Sequence, residues 1–141
     1  MKNPKIEQTL VIIKPDAVTA RLTPDITQVY IDNGLEVVRR SDRTIPLEQA
    51  EALYKEHKGK PFYNELIEFT ISKPCVILII QGENAVGVVR KLNGPSAPKT
   101  PEKGTIRGDF KSLGGVKNLV HGSDSVPSAK REIAIFFGDK K

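Results

Sequence analysis

Two short apolar runs, residues 9–13 (Thr-Leu-Val-Ile-Ile) and 75–80 (Cys-Val-Ile-Leu-Ile-Ile), constrain this chain more than any other feature. Neither is broken by the polar alternation of a half-wet strand, so each reads as a strand buried on both faces. Both fall far short of the ~20 apolar residues that a bilayer-spanning helix needs. The chain must therefore supply helices to cover a sheet.

The pattern around these runs supplies them. After the first strand, Lys14-Pro15-Asp16 turns the chain into a helix and leaves Lys14 at the strand's end. Thr23-Pro24-Asp25 starts an amphipathic helix carrying Ile26, Val29 and Tyr30, stopped by Asn33-Gly34. Residues 35–44 read as a second strand and residues 46–57 as a helix that ends at Lys58-Gly59-Lys60-Pro61. That helix would place Tyr54 and His57 on one face. A short helix over residues 63–70, a strand over 76–81 and a helix over 83–92 follow. Between Gly94 and Gly115 the density of Pro and Gly disfavours regular structure over a length seldom left without a role. Residues 117–120 complete a fourth strand, and a helix runs from Ser125 through Glu132 to Phe137. The order βαββαβ, with additions, predicts a ferredoxin-like α+β sandwich: a four-stranded antiparallel sheet with helices on its faces.

At 141 residues the chain is expected to form one domain, residues 1–141. Its 38% hydrophobic and 28% charged residues exclude a disordered chain. The net charge of +5 favours an anionic partner, although Lys2, Lys5, Lys140 and Lys141 at the ends supply much of it. A phosphorylated small molecule satisfies that balance as well as nucleic acid does. One cysteine, Cys75 beside Val76-Ile77-Leu78, permits no intrachain disulfide and fits a reducing cytoplasm. No leader or membrane segment is expected.

The candidate chemistry centres on Asn118-Leu119-Val120-His121-Gly122-Ser123-Asp124-Ser125. A histidine following apolar residues and preceding polar ones stands at a strand end with partners nearby. Its ring is a competent nucleophile when one nitrogen is held by an acceptor, and Asp124 and Glu132 are both candidates. A hydrogen-bonded structural histidine is the alternative. Arg107, between Gly104 and Gly108, offers a planar fork for phosphate oxygens. With Lys14, Arg90 and His121 it suggests an anion site, although Arg90 and His57 could each simply end a helix. There is no Gly-x-x-x-x-Gly-Lys-Ser/Thr loop, no His-Arg-Asp kinase set and no paired Cys or His spacing for zinc. Phosphate chemistry would need another constellation.

Five segments together resemble the nucleoside diphosphate kinase family: Ile13-Lys14-Pro15-Asp16-Ala17-Val18, Lys60-Pro61-Phe62-Tyr63, Gly82-Glu83-Asn84-Ala85-Val86, Gly104-Thr105-Ile106-Arg107-Gly108-Asp109-Phe110, and residues 118–125. The resemblance covers nearly the whole chain. It implies a ping-pong transfer of the γ-phosphate of a nucleoside triphosphate to a nucleoside diphosphate through a phosphohistidine on His121. It further implies that Glu132, supported by Ser123, orients His121, and that Tyr54 lies beside the transferred group. Lys14 and Asn118 would bind the ribose, with Lys14 also reaching phosphate. Arg90, Ser96 and Arg107, with His57 as an addition, would hold phosphates, while Phe62 stacks on the base and Leu66 lines the same slot. Magnesium would be bound through nucleotide phosphates, with no protein metal site.

A π-face contact accepts any base, so broad base tolerance is expected. The resemblance also implies a cytoplasmic homo-oligomer, a tetramer or hexamer. Two departures stand out: Ser96 replaces a common threonine, and Gly115 stands where an apolar base contact is often found. The competing readings are a single-stranded nucleic-acid-binding module and a nucleotide-sensing module of the same fold. Nucleic acid is not expected as the main ligand, because residues 9–13 and 76–80 carry no aromatics for base stacking.

Overall fold

The computed structural model describes residues 5–95, 102–111 and 116–138. The first apolar run extends into β1 (Ile6–Ile13), then α1 (Pro15–Thr19) and α2 (Thr23–Asp32) lead to β2 (Glu36–Arg43). Next come α3 (Leu47–Leu53), a 3₁₀ turn (Lys55–His57) and α4 (Tyr63–Thr70) before β3 (Cys75–Glu83). The chain continues through α5 (Ala85–Asn93), α6 (Ile106–Asp109), β4 (Val120–Gly122) and α7 (Val126–Phe137). Among the described residues the four strands form one antiparallel sheet in the order β2-β3-β1-β4, as a ferredoxin-like sandwich requires.

The unbroken apolar runs have a direct structural cause. Side chains alternate across a strand, and here both faces are covered. Val11 and Ile13 of β1, with Val76, Leu78 and Ile80 of β3, pack on one face with Ile26, Tyr30 and Val89 from α2 and α5. Leu10 and Ile12, with Cys75 and Ile77, pack on the other with Leu53, Leu66 and Phe136 from α3, α4 and α7. Each fully buried Ile or Leu of this kind contributes ~1.5–3 kcal/mol of transfer free energy, so the two clusters hold both helical layers to the sheet.

Three sequence expectations need correction. The helix expected over residues 46–57 divides at Tyr54, whose backbone (φ −105°, ψ 24°) leaves the helix and restarts it as a 3₁₀ turn. Tyr54 is nevertheless almost wholly buried, so packing of its ring, which helical periodicity does not register, sets the break. The fourth strand lies at Val120–Gly122 rather than 117–120, which places His121 inside it, opposite Ile12 of β1. Part of the supposedly irregular loop is helical: Thr105 caps α6 by accepting the Gly108 N–H at 3.1 Å. A Cβ at Gly108 would overlap the Glu102 carbonyl, so glycine is required for this turn to close.

Candidate active site

β1 and β4 run antiparallel, which brings Lys14, just past the end of β1, beside the segment that leads into His121. The Lys14 N–H donates to the Leu119 carbonyl at 2.9 Å, and Lys14 Nζ donates to Asn118 Oδ1 at 3.1 Å. Around them opens a cleft of about 1010 Å³ lined by β4, the α3–α4 connection, α5 and α6. Every described candidate except Ser123 lines it: Lys14, Tyr54, His57, Phe62, Leu66, Arg90, Arg107, Asn118, His121 and Glu132. Ser123 is fully buried immediately behind the wall. Ser96 and Gly115 lie outside the described residues.

The ring partner of His121 is Glu132. His121 Nε2 lies 2.8 Å from Glu132 Oε1, and Ser123 Oγ donates to the same oxygen at 2.7 Å. Arg131 Nη2 faces Oε2 at 3.6 Å. Burial pushes the Glu132 carboxyl upward, but hydrogen bonds from His121 and Ser123, with the charges of His121 and Arg131, outweigh it and hold the pKa below the ordinary value. Glu132 is thus an acceptor, so the Nε2–H is assigned as the donor to it, and in the neutral ring Nδ1 is then the nitrogen with the lone pair. Asp124 is engaged elsewhere. Hydrogen bonding with Ser128 and Ser125 at the start of α7, with the Arg90 charge nearby, lowers its pKa against a modest burial penalty.

Tyr54 sets its ring edge-on to His121, with centroids 5.7 Å apart and planes at 88°. The contacts continue through His57, 5.9 Å from Tyr54, to Phe62, 5.4 Å from His57. Burial raises the Tyr54 pKa, chiefly by desolvation, so the phenol keeps its proton. His57 is shifted the other way, first by burial and then by the Lys60 charge, which favours the neutral ring. Phe62 is 42% exposed at the mouth of the cleft while Leu66 is buried below it. An exposed aromatic beside an apolar wall can take a flat ring without reading its edge.

Five cationic side chains line this cleft, Lys14, Arg90, Lys91, Arg107 and Arg131, and the first, second and fourth are the expected anion-binding set. Lys14 is only 4% exposed, and burial, with Arg107 adding repulsion, lowers its pKa to about 8 although Asp16 and Cys75 oppose the shift. Arg107 is a brace as well as a charge. Its Nε donates to Asn118 O at 3.0 Å, Nη2 to Val120 O at 2.7 Å, and Nη1 to Gly94 O. Three of five guanidinium donors are committed to main chain, which leaves two for an anion. Arg90, exposed near the end of α5, completes the set.

Sequence reasoning missed three parts of this site. Leu119 has φ +77°, and Val120 N–H donates to Asn118 O at 2.9 Å, so residues 118–120 form the strained, positive-φ type of γ-turn directly before His121. Asp16 Oδ2 accepts the Leu119 N–H at 3.0 Å. Arg131 ties α7 to the end of α3 by donating to Ala52 O at 2.8 Å. In sequence, Asp16 reads as an acidic first-turn helix residue and Arg131 as a solvated helix charge. Leu119 carries no glycine signal, because its side chain belongs to the core.

A family model described as nucleoside diphosphate kinase matches residues 7–141. Among curated proteins, the nucleoside diphosphate kinase of Methanococcus maripaludis is 46% identical over 133 residues, 94% of this chain and 99% of that one. The protein of the same name from Staphylococcus epidermidis is 44% identical over 132 residues, 94% and 88% of the two chains. Among solved structures, the apo nucleoside diphosphate kinase of Encephalitozoon cuniculi superposes with a TM-score of 0.90 at 35% identity, covering 94% of this chain and 90% of that one. A transition-state mimic of the Borrelia burgdorferi enzyme with bound vanadate and ADP does so with a TM-score of 0.88 at 30% identity, covering 95% and 88%.

Proposed function

The chain belongs to the nucleoside diphosphate kinase family, and from that premise we propose that His121 carries the phosphoryl group in transfer from a nucleoside triphosphate to a nucleoside diphosphate. The protein is a nucleotide phosphotransferase. One observation supports His121 above all: its Nε2 lies 2.8 Å from the Oε1 of the buried Glu132 carboxylate while the residue lines the cleft.

In the first half-reaction Nδ1 attacks the γ-phosphorus, the bond from that phosphorus to the β,γ-bridging oxygen breaks, and the nucleoside diphosphate leaves with its electron pair. In the second, a terminal β-phosphate oxygen of another nucleoside diphosphate attacks the phosphohistidine, and the N–P bond breaks to restore the neutral ring. The ring becomes cationic as the N–P bond forms, and Glu132 stabilises that charge through the Nε2 proton. Ser123 and Arg131 keep the carboxylate aimed at Nε2. Lys14, Arg90 and Arg107 hold the phosphates, with Ser96 and neutral His57 as further donors, and the Tyr54 hydroxyl lies beside the moving group. Asn118 and Lys14 take the ribose, and Phe62 over Leu66 takes either class of base.

Among the described residues no group of three His, Cys, Asp or Glu side chains could hold a metal ion; the family reading brings magnesium in on the nucleotide phosphates. Bound there, the ion would neutralise phosphate charge, while Lys14, Arg90 and Arg107 would supply alignment and donors. We place the whole chain in one domain, since a single sheet joins its first described strand to its last. The family reading extends to a cytoplasmic tetramer or hexamer; among the described residues no helix is long and apolar enough to cross a membrane. The nucleic-acid alternative is not favoured, because helices cover both sheet faces on which bases would stack.

Incubation with γ-labelled ATP should yield an acid-labile, base-stable phosphoprotein that passes its label to GDP. Unlabelled wild type, or full labelling of His121→Ala, would refute the assignment.

A further inference from the structure

We infer that Asp16 is a positioning residue for phosphoryl transfer: its carboxylate clamps the strained γ-turn at Leu119 and thereby sets Asn118 and His121 on either side of it. The inference rests on the proposed role of His121, but its geometry stands apart from that reading.

A positive φ at a leucine is costly, on the order of 1–3 kcal/mol, and persists only where surrounding contacts over-determine it. Here they do. The Leu119 side chain is buried in the core, its carbonyl accepts the Lys14 N–H, and its own N–H donates to Asp16 Oδ2 at 3.0 Å. The flanking carbonyls of Asn118 and Val120 are both held by Arg107. Within this ring of contacts the Asp16 hydrogen bond is the one made by a side chain to the strained residue itself. Without it, a buried N–H loses its acceptor and the turn can relax toward negative φ. That relaxation would swing the Asn118 side chain away from Lys14 Nζ and rotate the strand that carries His121.

Asp16 has a second effect through charge. Its other oxygen, Oδ1, is buried and has no hydrogen-bond partner among the described residues. The nearby Lys14 ammonium feels that carboxylate, which opposes the burial-driven fall in its pKa. One carboxylate thus fixes the backbone on one side and favours the charged lysine on the other. An amide could do the first and not the second.

Asp16→Asn and Asp16→Ala separate these effects. Asp16→Ala should slow formation of the phosphoenzyme by roughly 10²-fold, the scale for a misplaced reacting group, and should speed exchange of the Leu119 amide hydrogen. Asp16→Asn keeps an acceptor for Leu119, so it should restore most of the rate at neutral pH and the slow amide exchange. Its alkaline limb should move to lower pH, because Lys14 loses a favourable charge. If wild type forms no phosphoenzyme, the reading of His121 fails, while the amide-exchange comparison still decides the clamp. If wild type is labelled and folded Asp16→Ala matches it in rate and in Leu119 exchange, the role of Asp16 is overturned. Equal losses in both variants without a change in the pH profile would likewise overturn it, since that is what general destabilisation produces.

Discussion

At the scale of single residues, burial and charge do opposite things to the two groups that flank the reaction. Glu132 is held ionised despite burial because His121, Ser123 and Arg131 surround it with donors and positive charge. Lys14 is pulled toward neutrality from 10.5 to about 8, chiefly because it is dry. The consequence for stability follows from proton counting. Between about 8 and 10.5 the unfolded chain keeps a Lys14 proton that the folded chain has lost, so stability rises with pH across that window. Below about 8 the buried charge costs on the order of 3 kcal/mol relative to neutral lysine. Denaturant midpoints for wild type and Lys14→Met should converge as pH rises from 8 to 10.5. In kinetics the sign reverses, since only the ammonium attracts phosphate. The rate constant kcat/KM should fall as pH rises through about 8, and a profile flat up to the ordinary lysine range would remove Lys14 from phosphate binding.

At the scale of elements, the site is made by ends. Lys14 follows the end of β1, Tyr54 interrupts the α3 region, Arg90 lies near the end of α5, and Arg107 sits in a single turn of helix. The exceptions are His121 within β4, Leu66 within α4, and α7, which delivers Glu132 from its interior and whose start is secured by Ser125 Oγ accepting the Ser128 N–H at 3.2 Å. Removing that cap with Ser125→Ala should cost about 1 kcal/mol, read as a shifted urea midpoint. Turnover of the folded variant should change little, because Glu132 is also gripped by His121, Ser123 and Arg131. A turnover loss far beyond the unfolded fraction would mean that the cap itself sets the carboxylate.

At the scale of the whole molecule, the two helical layers leave the cleft beside β4 as the place where cations from several elements converge on one anion site. With magnesium carried on the nucleotide, a chelator should abolish phosphoryl transfer while leaving the thermal unfolding temperature of the free protein unchanged. A fall in that temperature on chelation would reveal a structural metal and contradict the proposal. The same architecture explains what the sequence could announce. The strands were legible because their burial on both faces writes itself as an unbroken apolar run, and most helices because their caps and periodicity are local. The break at Tyr54 and the exact place of β4 were not, because both are set by packing partners far away in the chain.

The sequence by itself determined the order of elements, the βαββαβ class, the resemblance to a kinase family and the candidates His121, Lys14, Arg107 and Glu132, all from patterns a few residues long. It left Asp124 and Glu132 as rival partners for the ring until the family resemblance favoured Glu132. It gave no hint that Asp16 grips Leu119. Only the tertiary structure decided that contact, because a hydrogen bond across 103 residues and a leucine held at positive φ depend on which segments meet, and no local propensity encodes that meeting.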